Sequence, residues 1–248
     1  MLAPEPEAVD IDGDGVLDLL VNAARYTHLD VPGRVFFFAG PFDDDRDAAD
    51  ADLMIDGARP GDDFGQRAVA IANPVGGDGR TVVFVTDFDD PDQRAHFVFR
   101  IGDLDVVTLL TEHDADAAFV EGDDGVLDIS TGLDGPTSVG DIDADGREEV
   151  AIQGYASSTA LDISGERLYI MEIPTAGTHT LHDPEFEVRP EESVDGYTGM
   201  GSYVEARFDL DGDGWRDLLV GEFYWDDDPT IYHHPNGRFH VFRGPVGE

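Results

Sequence analysis

This chain of 248 residues has no cysteine, no lysine and no long apolar run. Together with its charge, the missing cysteine and apolar runs exclude several classes of function. Without cysteine, disulfides contribute nothing to stability, and no thiol can act as a nucleophile. The 15 basic residues, all arginine, stand against 55 acidic residues, which gives a formal charge of −40. Nucleic acids and anionic membranes require a positive face, so neither is an expected partner. No run approaches the roughly 20 apolar residues of a membrane-spanning helix, so we expect no membrane insertion.

Familiar catalytic motifs are missing as well. The sequence has no Gly-x-Ser-x-Gly elbow, no His-Glu-x-x-His pair and no phosphate-binding Gly-Lys-Ser/Thr loop. We therefore expect a protein that is not an enzyme. Carboxylates that catalyse glycoside cleavage meet in space and not in sequence, so a carbohydrate-active enzyme, either a glycosidase or a polysaccharide lyase, stays open as the alternative.

What the chain does contain is an acidic nine-residue loop in three copies: the first loop (10–18), the middle loop (141–149) and the last loop (209–217). Each copy has carboxylates at positions 1, 3, 5 and 9, and the carbonyl of position 7 lies between them. Such oxygens suit Ca²⁺, and glycine at position 6 permits a sharp turn. We therefore predict three Ca²⁺ sites. The predicted ligands are Asp10, Asp12, Asp14, Val16 and Asp18 in the first loop, Asp141, Asp143, Asp145, Arg147 and Glu149 in the middle loop, and Asp209, Asp211, Asp213, Trp215 and Asp217 in the last loop.

The residues that follow the loops exclude an EF-hand. An EF-hand has a bidentate glutamate at position 12, where this chain has Val21, Ile152 and Val220. The runs 17–21, 149–152 and 218–220 are too short for helices, so we predict buried β-strands. The middle loop differs from the others, since Glu149 stands at position 9 and Ala144 at position 4, and we expect its site to be the weakest.

The loop spacing reveals a longer repeat. The interval from the first to the middle loop is about twice that from the middle to the last, which predicts a fourth copy near residue 74. There a degenerate loop (73–80) keeps Asp78 and Gly79 but has lost the other carboxylates, so we expect no metal in it. The chain therefore divides into approximate units 1–60, 61–125, 126–192 and 193–248.

Each unit has the strand content of one propeller blade. An aromatic or β-branched strand lies about 25 residues after each loop start, and two of these strands end in the same Gly-Pro pair. A further strand follows in the first three units, and no segment has sustained helical periodicity. We predict an all-β protein, a single β-propeller domain over 1–248 with four blade-like units. The aromatic strands are 35–38, 96–99, 168–171 and 239–242, and the further strands are 53–55, 118–120 and 186–188.

The unit resembles the FG-GAP repeat, the calcium-binding blade of the integrin α-subunit N-terminal propeller. The loops match its Asp-x-Asp-x-Asp-Gly-x-x-Asp core, and Gly61 to Gly65 supply the Phe-Gly half. The resemblance implies structural calcium ions at one face of the propeller and ligand contacts elsewhere on its loops. It further implies a non-catalytic module of a secreted or cell-surface protein that serves adhesion or the recognition of a protein or glycan.

The number of units departs from the family, whose propellers usually have seven blades. Four units leave three arrangements open: an arc of a longer propeller, a small four-bladed ring, or a half that closes by self-association with another copy. Residues 1–6 carry neither the basic nor the apolar segment of a signal peptide. We expect an extracellular or cell-surface location with any secretion signal missing from this chain.

Overall fold

A computed structural model describes residues 6–23, 32–59, 64–87, 94–102, 104, 108–123, 128–131, 135–158, 163–189, 198–224 and 237–245. Over these residues the protein is all-β, as predicted, and its helical content is two single 3₁₀ turns, Ala48–Asp50 and Glu112–Asp114. The strands are β1 (Glu7–Val9), β2 (Asp18–Ala23), β3 (Arg34–Phe38), β4 (Leu53–Asp56), β5 (Arg67–Ile71), β6 (Thr81–Asp87), β7 (Ala95–Ile101), β8 (Thr108–Thr111), β9 (Ala117–Val120), β10 (Gly122–Asp123), β11 (Asp128–Thr131), β12 (Thr137–Gly140), β13 (Glu149–Ser158), β14 (Ile163–Glu172), β15 (Gly177–Thr180), β16 (Phe186–Val188), β17 (Met200–Phe208), β18 (Asp217–Glu222) and β19 (Arg238–Phe242).

The strands form four sheets whose central strands follow one another along the chain, while β8 and β15 join sheets that began earlier. Sheet I has the order β1-β2-β3-β4-β8, and sheet II has the order β5-β6-β7-β9-β15. Sheet III runs β10-β11-β13-β14-β16, with β12 also paired to β13, and sheet IV runs β17-β18-β19. Strand β8 joins β4 in parallel, whereas β1 to β4 pair antiparallel. Each sheet takes most of its strands from one of the four predicted units, while closure into a propeller stays a prediction.

The chain divides into two compact units, each of which has its own core. Unit one is Met1–Val120 with Pro174–His179, and unit two is Glu121–Ile173 with Thr180–Glu248. In unit one, alternate residues of sheet I such as Leu20 and Phe37 pack with Val83 and Phe99 of sheet II. In unit two, Leu168 and Ile170 of sheet III pack with Leu218 and Val220 of sheet IV. Side chains alternate between the two faces of a strand, so each sheet commits every second residue to its core. The prediction of one domain is untested.

The strands predicted after the loops are present, with shifted ends. Leu17 is 59% exposed and precedes β2, while β13 runs on to Ser158, well beyond the predicted end at Ile152. Phe64 of the Phe-Gly half is fully buried and Gly65 has a φ of 76°, but residues 61–63 lie outside the described residues. No helix of the described chain is long and apolar enough to cross a bilayer.

Candidate metal centres

Each of the three acidic loops brings three carboxylates together. One ligand oxygen from each member of a trio lies within 4.8 Å of those of the other two. The trios come from positions 1, 3 and 9, so side chains at both ends of the loop converge, and each trio could hold a metal ion. They are Asp10, Asp12 and Asp18; Asp141, Asp143 and Glu149; and Asp209, Asp211 and Asp217.

The position-1 carboxylate folds the loop around itself. Asp10 accepts hydrogen bonds from the amides of Gly13 at 2.8 Å and Gly15 at 3.0 Å, one on each oxygen. These two glycines have φ values of 80° and 88°, in the left-handed region that favours glycine. In the last loop Asp209 accepts the equivalent pair of bonds from Gly212 and Gly214, at 2.6 and 2.9 Å. The Asp-Gly alternation therefore specifies the turn through hydrogen bonds between the loop's own carboxylate and amides.

The position-9 carboxylate is a buried anchor. Asp18 is 2% exposed and accepts from the amides of Ile11 at 2.7 Å and Gly40 at 2.9 Å. Its equivalent Asp217 bonds in the same way to Leu210 and Gly244, at 2.6 and 3.2 Å. One carboxylate thus ties the start of the loop to the chain that leaves the third strand of the unit.

Gly40 and Gly244 are functional positions that the sequence analysis missed. A Cβ at Gly40 would lie 2.4 Å from the Leu17 carbonyl oxygen, and a Cβ at Gly244 would lie 2.2 Å from that of Arg216. Only glycine brings these amides up to the position-9 carboxylates. The signal was present in the Gly-Pro pair shared by two units, but its role depends on a contact that sequence alone did not reveal.

The position-5 aspartates stand outside the trios. Asp14, Asp145 and Asp213 each accept a hydrogen bond from the amide of position 7, at 2.7, 2.9 and 2.9 Å respectively. Those amides belong to the remaining predicted ligands, Val16, Arg147 and Trp215, which we expect to coordinate through their carbonyls. The structure therefore gathers positions 1, 3 and 9, while coordination by positions 5 and 7 stays a prediction.

The middle loop combines strain with uncompensated charge. Ala144 occupies position 4 with a φ of 66°, where the other two loops have glycine. Asp141 Oδ1 is buried and has no hydrogen-bond partner among the described residues. Burial raises the pKa of Glu149 to about 8, against the hydrogen bond that it accepts from Ile142, and the nearby aspartates raise that pKa further.

These features fit a bound cation. A buried carboxylate oxygen without a donor, close to two other carboxylates, is stabilised by a divalent ion that supplies the missing positive charge. One arginine already contributes some charge, because Arg147 pairs with Asp145 at 2.7 Å and with Glu172 at 2.5 Å. That guanidinium group lies on the loop itself and would repel a nearby cation, while the lower affinity of the middle site stays a prediction.

Arginine replaces the acidic cluster in the degenerate loop. Asp78 accepts from Arg80 Nη2 at 2.6 Å, and Arg100 Nη1 lies 3.7 Å away. The hydrogen bond from Arg80 lowers the pKa of Asp78. Gly79 has a φ of 88°, in the left-handed region that the position-6 glycines of the acidic loops also adopt. In the described residues of this loop no acidic trio forms, and the absence of a metal there stays a prediction.

No protein-family model matches the chain, and a search of curated proteins finds no match either. The resemblance to FG-GAP repeats therefore rests on the sequence motifs.

Proposed function

We propose that this chain is a calcium-binding module of the FG-GAP type, forming a β-propeller or an arc of one. In this proposal it acts at the cell surface or in the extracellular medium, in adhesion or in recognition of a protein or glycan. The single observation that carries the proposal is the acidic trio, which recurs in three loops at the same three positions. Composition alone does not produce that recurrence, even in a chain with 55 acidic residues.

The chemistry of the trios favours Ca²⁺ over other metals. All their members are carboxylates, hard oxygen donors that suit Ca²⁺, and no histidine or cysteine belongs to a trio. Extracellular calcium modules bind with dissociation constants of ~10⁻⁴–10⁻³ M, a range in which surroundings rich in Ca²⁺ keep them loaded. Asp10, Asp141 and Asp209 would hold the ions together with their partners at positions 3 and 9, and each ion would link a loop to the strand that follows.

Titration calorimetry tests the proposal directly. We expect three Ca²⁺ ions per chain and a loss of one in Asp211→Ala, because this change removes a trio carboxylate at an exposed position. Asp78→Ala is the matched control, since it changes an aspartate of the degenerate loop and should leave three sites. A stoichiometry that Asp211→Ala does not reduce would contradict the assignment of the last loop.

Terbium luminescence reads the last loop separately. Tb³⁺ replaces Ca²⁺ in oxygen-rich sites and emits when a nearby indole is excited, and Trp215 stands at position 7 of this loop. We expect sensitised emission that excess Ca²⁺ displaces. Because the chain has a second tryptophan, Trp225, the variant Trp215→Phe assigns the signal: emission should fall while the calorimetric stoichiometry is unchanged.

The effect of Glu149→Gln on the unfolding temperature should change sign when Ca²⁺ is added. Without metal the variant should unfold at a higher temperature than the wild type at neutral pH. Burial and the nearby aspartates raise the pKa of Glu149, which makes this carboxyl group costly to fold, and neutral glutamine removes that cost. With Ca²⁺ in excess it should unfold at a lower temperature, because the middle site has lost a ligand. The same sign of change in both conditions would show that the middle loop holds no ion.

A further inference from the structure

Sheet IV exposes a row of apolar side chains on the face that points away from the core of unit two. This outer face of sheet IV consists of Tyr203, Leu219, Phe239 and Val241. Tyr203 and Phe239 both register with Gly221, and their rings meet edge to face with centroids 6.2 Å apart. Tyr203 is 43% exposed, Phe239 62% and Val241 52%.

Sheet I carries a second row of this kind on the face that points away from the core of unit one. The outer face of sheet I consists of Val21, Phe36, Met54 and Leu109, one residue from each of four adjacent strands in direct register. Leu109 is 56% exposed, and the other three are half-buried. Contiguous exposed apolar surfaces on soluble proteins mark interaction sites.

The internal repeat shows that these two faces are complementary. The first and last loops align so that Leu20 corresponds to Leu219 and Val21 to Val220. In sheet I, Leu20 lies in the core and Val21 on the outer face, whereas in sheet IV Val220 lies in the core and Leu219 on the outer face. The outer face of sheet IV is therefore equivalent to the core face of sheet I.

The neighbouring strand of each sheet gives the same equivalence. Register places Phe37 of sheet I opposite Leu20, and Val241 of sheet IV opposite Leu219, so the two occupy the same position in the repeat. Phe37 packs against sheet II inside unit one. Packing between the two sheets of a unit thus joins a face of the Leu20 kind to a face of the Val21 kind. The outer face of sheet IV is of the Leu20 kind and the outer face of sheet I is of the Val21 kind, so each suits the other.

We propose that a second copy of this chain covers these surfaces, so that the outer face of sheet IV of one copy packs on the outer face of sheet I of the next. Two different surfaces meet in this contact, which makes the association head-to-tail rather than symmetric at each interface. The proposal requires no metal, and calcium binding can fail without affecting it.

Charge is locally balanced at both faces. Arg34 pairs with Asp56 beside Phe36 and stacks over the Phe36 ring at 5.6 Å, and Arg207 pairs with Glu205 at 2.5 Å beside Leu219 and Val241. The rest of the chain carries a large negative charge, so two copies repel each other at a distance. Added salt screens that repulsion and leaves apolar contact intact, so it should strengthen the association.

Analytical ultracentrifugation tests the contact with one variant on each face. The wild type should sediment above the monomer mass of 26.9 kDa and should do so more strongly as salt rises. Phe239→Asp and Leu109→Asp should each be monomeric at matched concentration. Val75→Asp is the control, because Val75 is 48% exposed in the degenerate loop and belongs to neither face. Circular dichroism identifies any variant that fails to fold.

Mixing the two variants distinguishes head-to-tail association from other modes. Each variant retains one intact face, so an equimolar mixture of Phe239→Asp and Leu109→Asp should contain a two-copy species that neither variant forms alone. A wild type that stays monomeric overturns the proposal, whatever the variants do. So does a mixture without the two-copy species, a loss caused by only one of the two variants, or an equal loss in Val75→Asp.

Discussion

Replacing Asp217 by alanine separates the structural role of a position-9 carboxylate from its role toward metal. Asp217 is 2% exposed and accepts hydrogen bonds from the amides of Leu210 and Gly244. Alanine leaves both amides without that acceptor, and each buried unsatisfied donor costs about 1–3 kcal/mol. Both hydrogen bonds are part-buried, so we expect the metal-free variant to lose about 3 kcal/mol of unfolding free energy, in the lower half of the summed range of about 2–6 kcal/mol.

Calcium should add to this loss. A ligand that binds only the folded state contributes about 2.7 kcal/mol per site at a hundredfold excess over its dissociation constant. The last site should fail in Asp217→Ala, so the total loss in Ca²⁺ should approach about 6 kcal/mol. Asp213→Ala is the matched comparison in the same loop, because the exposed Asp213 carboxylate accepts from Trp215 at the surface. Its loss without metal should be small.

Urea denaturation followed by circular dichroism, in EGTA and in excess Ca²⁺, measures both contributions. We expect Asp217→Ala to be clearly less stable than Asp213→Ala in EGTA, and we expect calcium to widen the loss of stability for Asp217→Ala. Equal losses for the two variants in EGTA would refute the anchoring role assigned to Asp217. A loss for Asp217→Ala that calcium does not change would mean that the last loop gains no stability from the ion.

Three further predictions concern other loops and strands. Ala144→Gly should gain about 1 kcal/mol in thermal unfolding by relieving the left-handed backbone, whereas Gly212→Ala, whose Cβ meets no neighbour, should lose a similar amount. A loss of stability in Ala144→Gly, or a gain in Gly212→Ala, would contradict the strain at this position. Burial lowers the pKa of His96, which lies 2.8 Å from Thr86 Oγ1, to about 4. The unfolded chain therefore binds the proton first, and stability should fall by up to about 3 kcal/mol as pH drops from 6.5 to 4, a dependence that His96→Gln should remove in acid titration. Arg100→Gln should lower the melting temperature equally in EGTA and in Ca²⁺, because the degenerate loop relies on arginine, and a calcium-dependent loss would place an ion there.

The acidic trios are largely a property of the sequence. All three members of a trio lie within nine consecutive residues, so the local chain needs little help to bring them together. Alternating aspartate and glycine supplies both the ligands and the positive φ angles, as Asp10, Gly13 and Gly15 show. The strands that follow each loop are also readable locally, because short apolar runs bounded by polar residues leave few other structures.

Contacts between distant segments required the tertiary structure. Gly40 lies 22 residues from Asp18, and Gly244 lies 27 residues from Asp217, so no local pattern identifies the anchoring bonds. The parallel addition of β8 to β4 likewise joins segments far apart in sequence. Burial is decided at the same level: Phe37 and Phe239 lie on equivalent faces of related strands, yet the first packs against a second sheet and the second is exposed. Strand alternation fixes which face a residue occupies, but only the packing of whole sheets determines which faces are covered.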